Sequence, residues 1–345
     1  MYRQLSQLSE DGMYGDIIPA WLMQFADKGT RNEYIDMNPG MDAVTAEKYG
    51  QCASDLIRLF TGLSNLNPVD VEVSKNKAGS GITVSIDGMY TLMIVNSIGF
   101  GTREEDLTRY RLARIKPGDP NGYGYFFAFY SSESFSLDQR NDAEYMYYRV
   151  FTRADVLAVM KRYTGYMKSD DEFSACNEYL LEKDENENLF RSLAPDEWRQ
   201  DQLHGFYSML DGVFHEKYGS TWGLFRLGSG KRMNVFRWHF RTLNGHGDEV
   251  FLQFEETRLN IMLTVSSYYR RKDAKNRLLA KMERKGLTGV IAGKKSRSHG
   301  RLETMTVYEI DRSQWYRRRE NGIMDTEETI AALERLDSLL DALRQ

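Results

Sequence analysis

The sequence predicts an α/β protein: a mixed central sheet flanked by helices, followed by an appended α+β part. Three observations carry this. Helix-spaced and strand-like runs alternate through the first half of the chain. Two runs, 90–98 (YTLMIVNSI) and 123–130 (YGYFFAFY), are apolar almost throughout, as expected of strands covered on both faces. The chain has 345 residues, 41 % of them hydrophobic, enough to bury a large core without disulfides or structural metals.

The elements follow in order. Residues 17–25 (IIPAWLMQF) form an apolar helix beyond Pro19, and 37–41 (MNPGM) a loop. Tyr49, Cys52, Ala53, Leu56, Phe60 and Leu63 recur at helix spacing, with Glu47, Lys48, Gln51, Ser54 and Asp55 on the other side. Strands are expected at 69–73, 82–86 and 90–98, the last two joined by a hairpin at Asp87-Gly88. A helix at 104–113, the strand at 123–130 and a helix at 154–163 complete the first domain, placed at 1–168. The second, 169–345, starts with exposed acidic stretches at 169–172 and 183–188. It continues with strands at 223–227, 235–242, 250–254, 259–265 and 304–310. A basic helix at 270–285 precedes the last of these. The closing helix carries Leu333, Leu336, Leu340 and Leu343 on one stripe, with Asp325 and Glu328 as its capping box. That stripe is too short for a long coiled coil and should pack on its own domain, with self-association the lesser reading.

Composition narrows the function classes. The formal net charge of −4 gives no global basic field. Cys52 and Cys176 lie far apart with no metal-ligand spacing, which argues for a reducing, cytoplasmic setting. No run approaches the roughly 20 apolar residues that cross a bilayer.

The order helix, hairpin, strand, helix, strand, together with three short motifs, resembles the PD-(D/E)XK nuclease superfamily. The closest likeness is to a bacterial and phage subfamily. That subfamily has an Ile-Asp strand, an Ile-Glu-Asn-Lys-Ile strand, and an Asp-Gln-x-x-Gln-Leu-x-Arg-Tyr helix start. Here Ile82-Thr83, Ile94-Val95-Asn96-Ser97-Ile98 and the segment from Thr102 to Tyr110 take those places. The resemblance covers 17–165 well and the rest weakly, and it implies a restriction-endonuclease-like fold. In such enzymes carboxylates on two strands hold Mg²⁺, which activates water, and a lysine two residues on shares their face. The matching positions are Thr83, Val95 and Ser97, and the helix glutamine is Asp106. None of the three central residues can do the family's job, and no cofactor is expected.

The resemblance therefore implies a nuclease scaffold kept for binding, in antiphage defence or as a counter-defence inhibitor. A live Mg²⁺-dependent nuclease with relocated ligands, Glu72 with Glu47, is the alternative; a structural subunit without nucleic-acid contact is another. Asp87 is four residues from Thr83, about 13 Å along an extended strand, and reads as a turn residue. If Thr83, Val95 and Ser97 share a face, the hairpin must pair odd residues with odd, so its turn must run through Met89.

The other strong signal is basic. Between Arg270 and Arg301 there are 12 Lys or Arg against Asp273 and Glu283. Arg270, Arg271, Lys272, Lys275, Arg277, Lys281, Arg284 and Lys285 are expected on the helix. Lys294, Lys295 and Arg297 are expected in a Gly/Ser-rich loop beyond it. Such a surface could neutralise phosphates or an acidic protein partner. Tyr268 and Tyr269 could stack on bases, though such residues more often cap a strand. Gly228-Ser229-Gly230-Lys231 fails the phosphate-loop spacing, since Phe225 holds the first glycine position. His204, His215, His239 and His246 have no metal-ligand spacing.

Overall fold

A computed structural model describes residues 2–4, 15–75, 81–96, 124–226, 232–297 and 303–343. These cluster into two compact units, 1–134 with 139–185 and 135–138 with 186–345. The boundary expected at 168/169 thus falls later. Residues 169–172 and 183–188 are not linkers, because both lie on or beside one helix, Asp171–Asn188. Its Phe173, Cys176 and Leu180 are buried in the first core.

The first unit contains helices α1 (Ile18–Met23), α2 (Lys28–Met37) and α3 (Ala43–Thr61). Strands β1 (Val71–Lys75), β2 (Ile82–Ile86), β3 (Tyr90–Asn96), β4 (Tyr125–Ser131) and β5 (Arg149–Thr152) form one sheet in the order β1-β2-β3-β4-β5. β1, β2 and β3 are antiparallel, whereas β3, β4 and β5 are parallel. A parallel pair needs a long crossover, and the β3–β4 connection runs through 97–123. The helix expected at 104–113, with Ser97 and Asp106, lies outside the described residues. Helix α4 (Leu137–Tyr145) precedes β5, and α5 (Arg153–Met160), α6 (Thr164–Met167) and α7 (Asp171–Asn188) follow it.

Helix α3 starts where the Asp42 side chain accepts the Thr45 amide, and it ends at Gly62 in the left-handed conformation, φ 75°. Its Cys52, Leu56, Ile57 and Phe60 pack against Val71, Val73, Ile82, Val84, Ile86, Leu92 and Ile94, the residues of one sheet face. Trp21, Phe25, Tyr34 and Tyr49 extend this core in edge-on and tilted contacts. Cys52 and Cys176 are both buried as free thiols.

The second unit is a six-stranded antiparallel sheet. In chain order it has α8 (Gln200–Tyr218), β6 (Ser220–Arg226), β7 (Arg232–Thr242), β8 (Glu249–Glu255) and β9 (Arg258–Thr264). After these come α9 (Arg271–Arg284), α10 (Leu287–Val290), β10 (Gly293–Lys295), β11 (Thr304–Ile310) and α11 (Thr326–Leu340). The strand order is β10-β11-β9-β8-β7-β6. One face carries Trp222, Phe236, Trp238, Leu252, Phe254 and Ile261, packed with residues of α8, α9 and α11. Leu333, Leu336, Leu340 and Leu343 all belong to this core, so the leucine stripe serves its own unit. No helix among the described residues is long and apolar enough to cross a membrane.

Two predictions follow from this packing. Gly205 lies inside α8, where alanine would ordinarily favour the helix by about 1 kcal/mol. A Cβ there would meet the Glu187 carbonyl oxygen at 1.9 Å. Gly205→Ala should therefore lower the denaturation midpoint, by about 2–3 kcal/mol of stability; a rise would remove the contact from the account. The second prediction concerns Asp16, which accepts the Ser132 amide and hydroxyl at 2.8 Å each. Burial raises its pKa from 3.8 to about 6 against the lowering effect of those bonds. The folded state thus binds the extra proton between pH 4 and 6, and stability falls as pH rises through that window. Asp16→Asn should flatten that dependence, an effect of up to roughly 3 kcal/mol at pH 7 measured by chemical unfolding.

Candidate functional site

The β2–β3 hairpin fixes which residues meet. Ile86 pairs with Tyr90, Ser85 with Thr91 and Thr83 with Met93, leaving Asp87, Gly88 and Met89 in the turn. Odd pairs with odd, as the longer turn requires. Asp87 and Gly88 both take positive φ, 53° and 63°. The Asp87 carboxylate accepts the amides of Val69 and Asp70 at 2.9 and 2.8 Å, so this acid is a turn residue that anchors the start of β1.

Register then carries the face across the sheet. Thr83 stands beside Met93, which aligns with Phe127; Val95 aligns with Phe129, which aligns with Val150. Met93, Val95 and Phe129 are each 1 % exposed. The Phe127 ring meets Tyr148 edge-on at 5.7 Å. On β3 and β4 the face where the resemblance implies metal ligands is therefore apolar, whereas β1 and β2 place Ser74 beside Thr83 and Glu72 beside Ser85 on it. A divalent cation such as Mg²⁺ requires several oxygen ligands and retained water. Along this face Thr83 and its β1 partner Ser74 offer hydroxyls, and Glu72, two residues along β1, brings a single carboxylate. The Thr83 Oγ1 is buried with no hydrogen-bond partner among the described residues.

Glu72 and Glu47 do not come together. Glu72 alternates with Val71 and Val73, which pack in the core with α3, so Glu72 points away from that helix. Glu47 is exposed on α3, accepts the Gln51 amide at 3.1 Å, and lines a cleft of about 540 Å³ with Lys28, Arg31 and Arg58. Asp55 lines the same cleft and takes the Tyr163 hydroxyl at 2.5 Å, Arg58 at 2.9 Å and Arg162 at 3.1 Å. Its charge is thus spent on its own neighbours. No group of three His, Cys, Asp or Glu among the described residues is placed to hold a metal.

The basic segment is corrected more sharply. Lys275 is 2 % exposed, not on a positive surface. Its ammonium donates to the carbonyls of Ser296 and Thr306 at 2.8 and 3.0 Å, and burial lowers its pKa. Arg271 is also buried, donating to the Val265 carbonyl. Arg270 pairs with Asp248 at 2.7 Å, and Lys281 caps the Leu343 carbonyl at 2.7 Å. Lys294 and Lys295 lie on the short edge strand β10 rather than in a loop. They pair with Glu309, at 3.1 Å, and with Glu283. The apolar stripe Ala274, Leu278 and Met282 turns one side of α9 inward and takes Arg271 and Lys275 with it. Lys272, Arg277, Arg284, Lys285 and Arg297 remain exposed, with no ion pair among the described residues. Tyr268 and Tyr269, 67 % and 92 % exposed, precede the helix.

One further cluster escaped the histidine spacing rules. His239 sits at φ 52° where the β7–β8 register shifts, a bulge that re-aims its side chain. Its Nδ1 is 2.6 Å from Asp337 Oδ2, and its ring stacks on Tyr218 at 4.8 Å. Fully buried Arg241 takes both oxygens of Asp337, at 3.1 and 2.6 Å, and reaches Asp341 at 2.8 Å. A His–Asp pair has the geometry of general-base chemistry, but this aspartate is committed to an arginine that joins β7 to α11. The arrangement is a latch. Asp337→Asn should leave Arg241 only the half-exposed Asp341 carboxylate and cost about 3 kcal/mol in a denaturant titration; a loss under 1 kcal/mol would refute the latch.

No family model, curated protein or solved structure matches this chain.

Proposed function

We propose that this chain is a nuclease-like protein without catalytic metal chemistry, acting by binding. The observation that carries the reading is the row Thr83, Met93, Val95, Phe127 and Phe129, which holds neither a carboxylate nor a lysine. It occupies the position where the resemblance implies two carboxylates and a lysine. The topology supports the same reading: an antiparallel β1-β2-β3 meander, a parallel β4, and α3 across one face. By the same resemblance the setting is phage–host conflict, as a defence component or an inhibitor.

The partner is a nucleic acid or a protein, and the charge arrangement decides how to tell them apart. Contact with phosphates would run through Lys272, Arg277, Arg284, Lys285 and Arg297, because the other cations of the segment among the described residues are buried or paired; Arg301 lies outside the described residues. Each phosphate contact adds about 0.7–0.9 to the slope of log affinity against log salt. Removing Arg277, Arg284 and Lys285 together should lower that slope by about 2–3, whereas removing Lys294 should leave it nearly unchanged. A salt-independent interaction indifferent to the triple variant points to the protein partner.

The enzymatic alternative is tested directly. Purified protein should leave DNA and RNA intact in Mg²⁺ or Mn²⁺, as read on denaturing gels. Cleavage that disappears with Glu72→Ala or Glu47→Ala would overturn this function.

A further inference from the structure

The sheet of the second unit has two unlike faces. One is the apolar core against α8, α9 and α11. Across the other, among the buried apolar side chains of Met233, Val235, Phe251 and Met262, register sets a row of polar residues that crosses all six strands. Thr221 pairs with Arg237, Arg237 with Gln253, Gln253 with Asn260, Asn260 with Glu309, and Glu309 with Lys294. At the outer end of the row the charges are matched, Lys294 to Glu309 at 3.1 Å.

Arg237 is different. A guanidinium carries five donors and is normally forked onto a carboxylate, a phosphate or carbonyls. Among the described residues Arg237 makes no hydrogen bond and no ion pair. Its Nε is fully buried without a partner, while the residue as a whole is half-buried. Two rings flank it, Phe225 at 4.5 Å and Phe240 at 5.8 Å from the guanidinium carbon. Phe240 is itself 40 % exposed. Burial lowers the Arg237 pKa, and the charge of Asp138 opposes that effect. A desolvated cation without a partner is destabilising. Fork and rings together form a half-built ion pair.

We propose that Arg237 is a recognition site for a carboxylate attached to an apolar or aromatic body. The fork supplies two parallel hydrogen bonds to the planar anion, and Phe225 and Phe240 hold the attached group. The surroundings favour one negative charge over two. Glu255 lies on the same face two residues from Gln253, and its carboxyl is pushed up by burial, with Glu309 and Glu256 adding to the effect. A phosphate dianion would meet those acids with a single arginine to offset them. The carboxylate belongs either to a free small acid or to a peptide C-terminus. This inference is independent of the nuclease resemblance.

The test uses the full chain at constant ionic strength. Sodium benzoate stands for the small acid and N-acetylphenylalanine for the peptide terminus. N-acetylphenylalaninamide, sodium phosphate and sodium chloride are the comparisons. At least one of the two carboxylates should raise the thermal midpoint saturably, and the more effective one identifies the source. The uncharged amide and chloride should give no saturable shift. Arg237→Met should fold with a midpoint no lower than the wild type in chloride, and should lose the carboxylate response. Arg237→Lys keeps the charge without the fork, and calorimetry should show its carboxylate affinity down by about tenfold or more. Three results overturn the proposal: no response to either carboxylate, an equal response in both variants, or a stronger response to phosphate. An Arg237→Met variant that is markedly destabilised in chloride also overturns it, by making the arginine structural.

Discussion

The first unit depends on the turn at Asp87, Gly88 and Met89. Side chains alternate along a strand, so a one-residue change in turn length would exchange the two faces of β3 relative to β2. The three-residue turn keeps Ile82, Val84, Ile86, Leu92 and Ile94 together under α3. It necessarily keeps Thr83, Met93 and Val95 together on the other side. Asp87 enforces that turn from both ends, with its backbone in the left-handed region and its carboxylate on the amides of Val69 and Asp70. Asp87 is thus the residue that orders the hairpin.

The same logic governs the basic segment. A count of charges along a helix overstates a surface when the helix is amphipathic, because the long stems of Lys and Arg can lie among apolar neighbours. On α9 the inward residues are Arg271, Ala274, Lys275, Leu278 and Met282, two of them cations. Lys275 satisfies carbonyls of the 296 and 306 segments, work that the backbone cannot do for itself. Basic residues here hold the second unit together at least as much as they offer a field to a partner.

Strand positions were legible where periodicity and turn chemistry agreed. β2 at Ile82–Ile86 and β11 at Thr304–Ile310 coincide with the sequence expectation. The hairpin parity followed from the requirement that Thr83 and Val95 share a face. Helices with mixed surfaces were harder to read. Helix α8 carries Asp201, His204, Gly205, Asp211 and His215 among its apolar residues, and α7 is largely acidic, so neither shows a clean stripe. The acidic runs expected to open the second half belong to one helix whose Phe173, Cys176 and Leu180 face the first core. Pairings such as Arg241 with Asp337, or Lys275 with distant carbonyls, join residues far apart in sequence and leave no local signal.

Partnering separates the buried Arg241 from the half-buried Arg237, although both stand on β7. Arg241 is fully buried yet completely engaged, by Asp337, Asp341 and the His239 carbonyl. Arg237, one turn of the pleat pattern away, has rings on either side and no acceptor. Folding alone accounts for the first, since its hydrogen bonds offset the cost of desolvation. For the second, the rings of Phe225 and Phe240 offset part of the cost, and the hydrogen-bonding capacity of its fork stays unused within the fold. That unused fork is what a planar anion would complete.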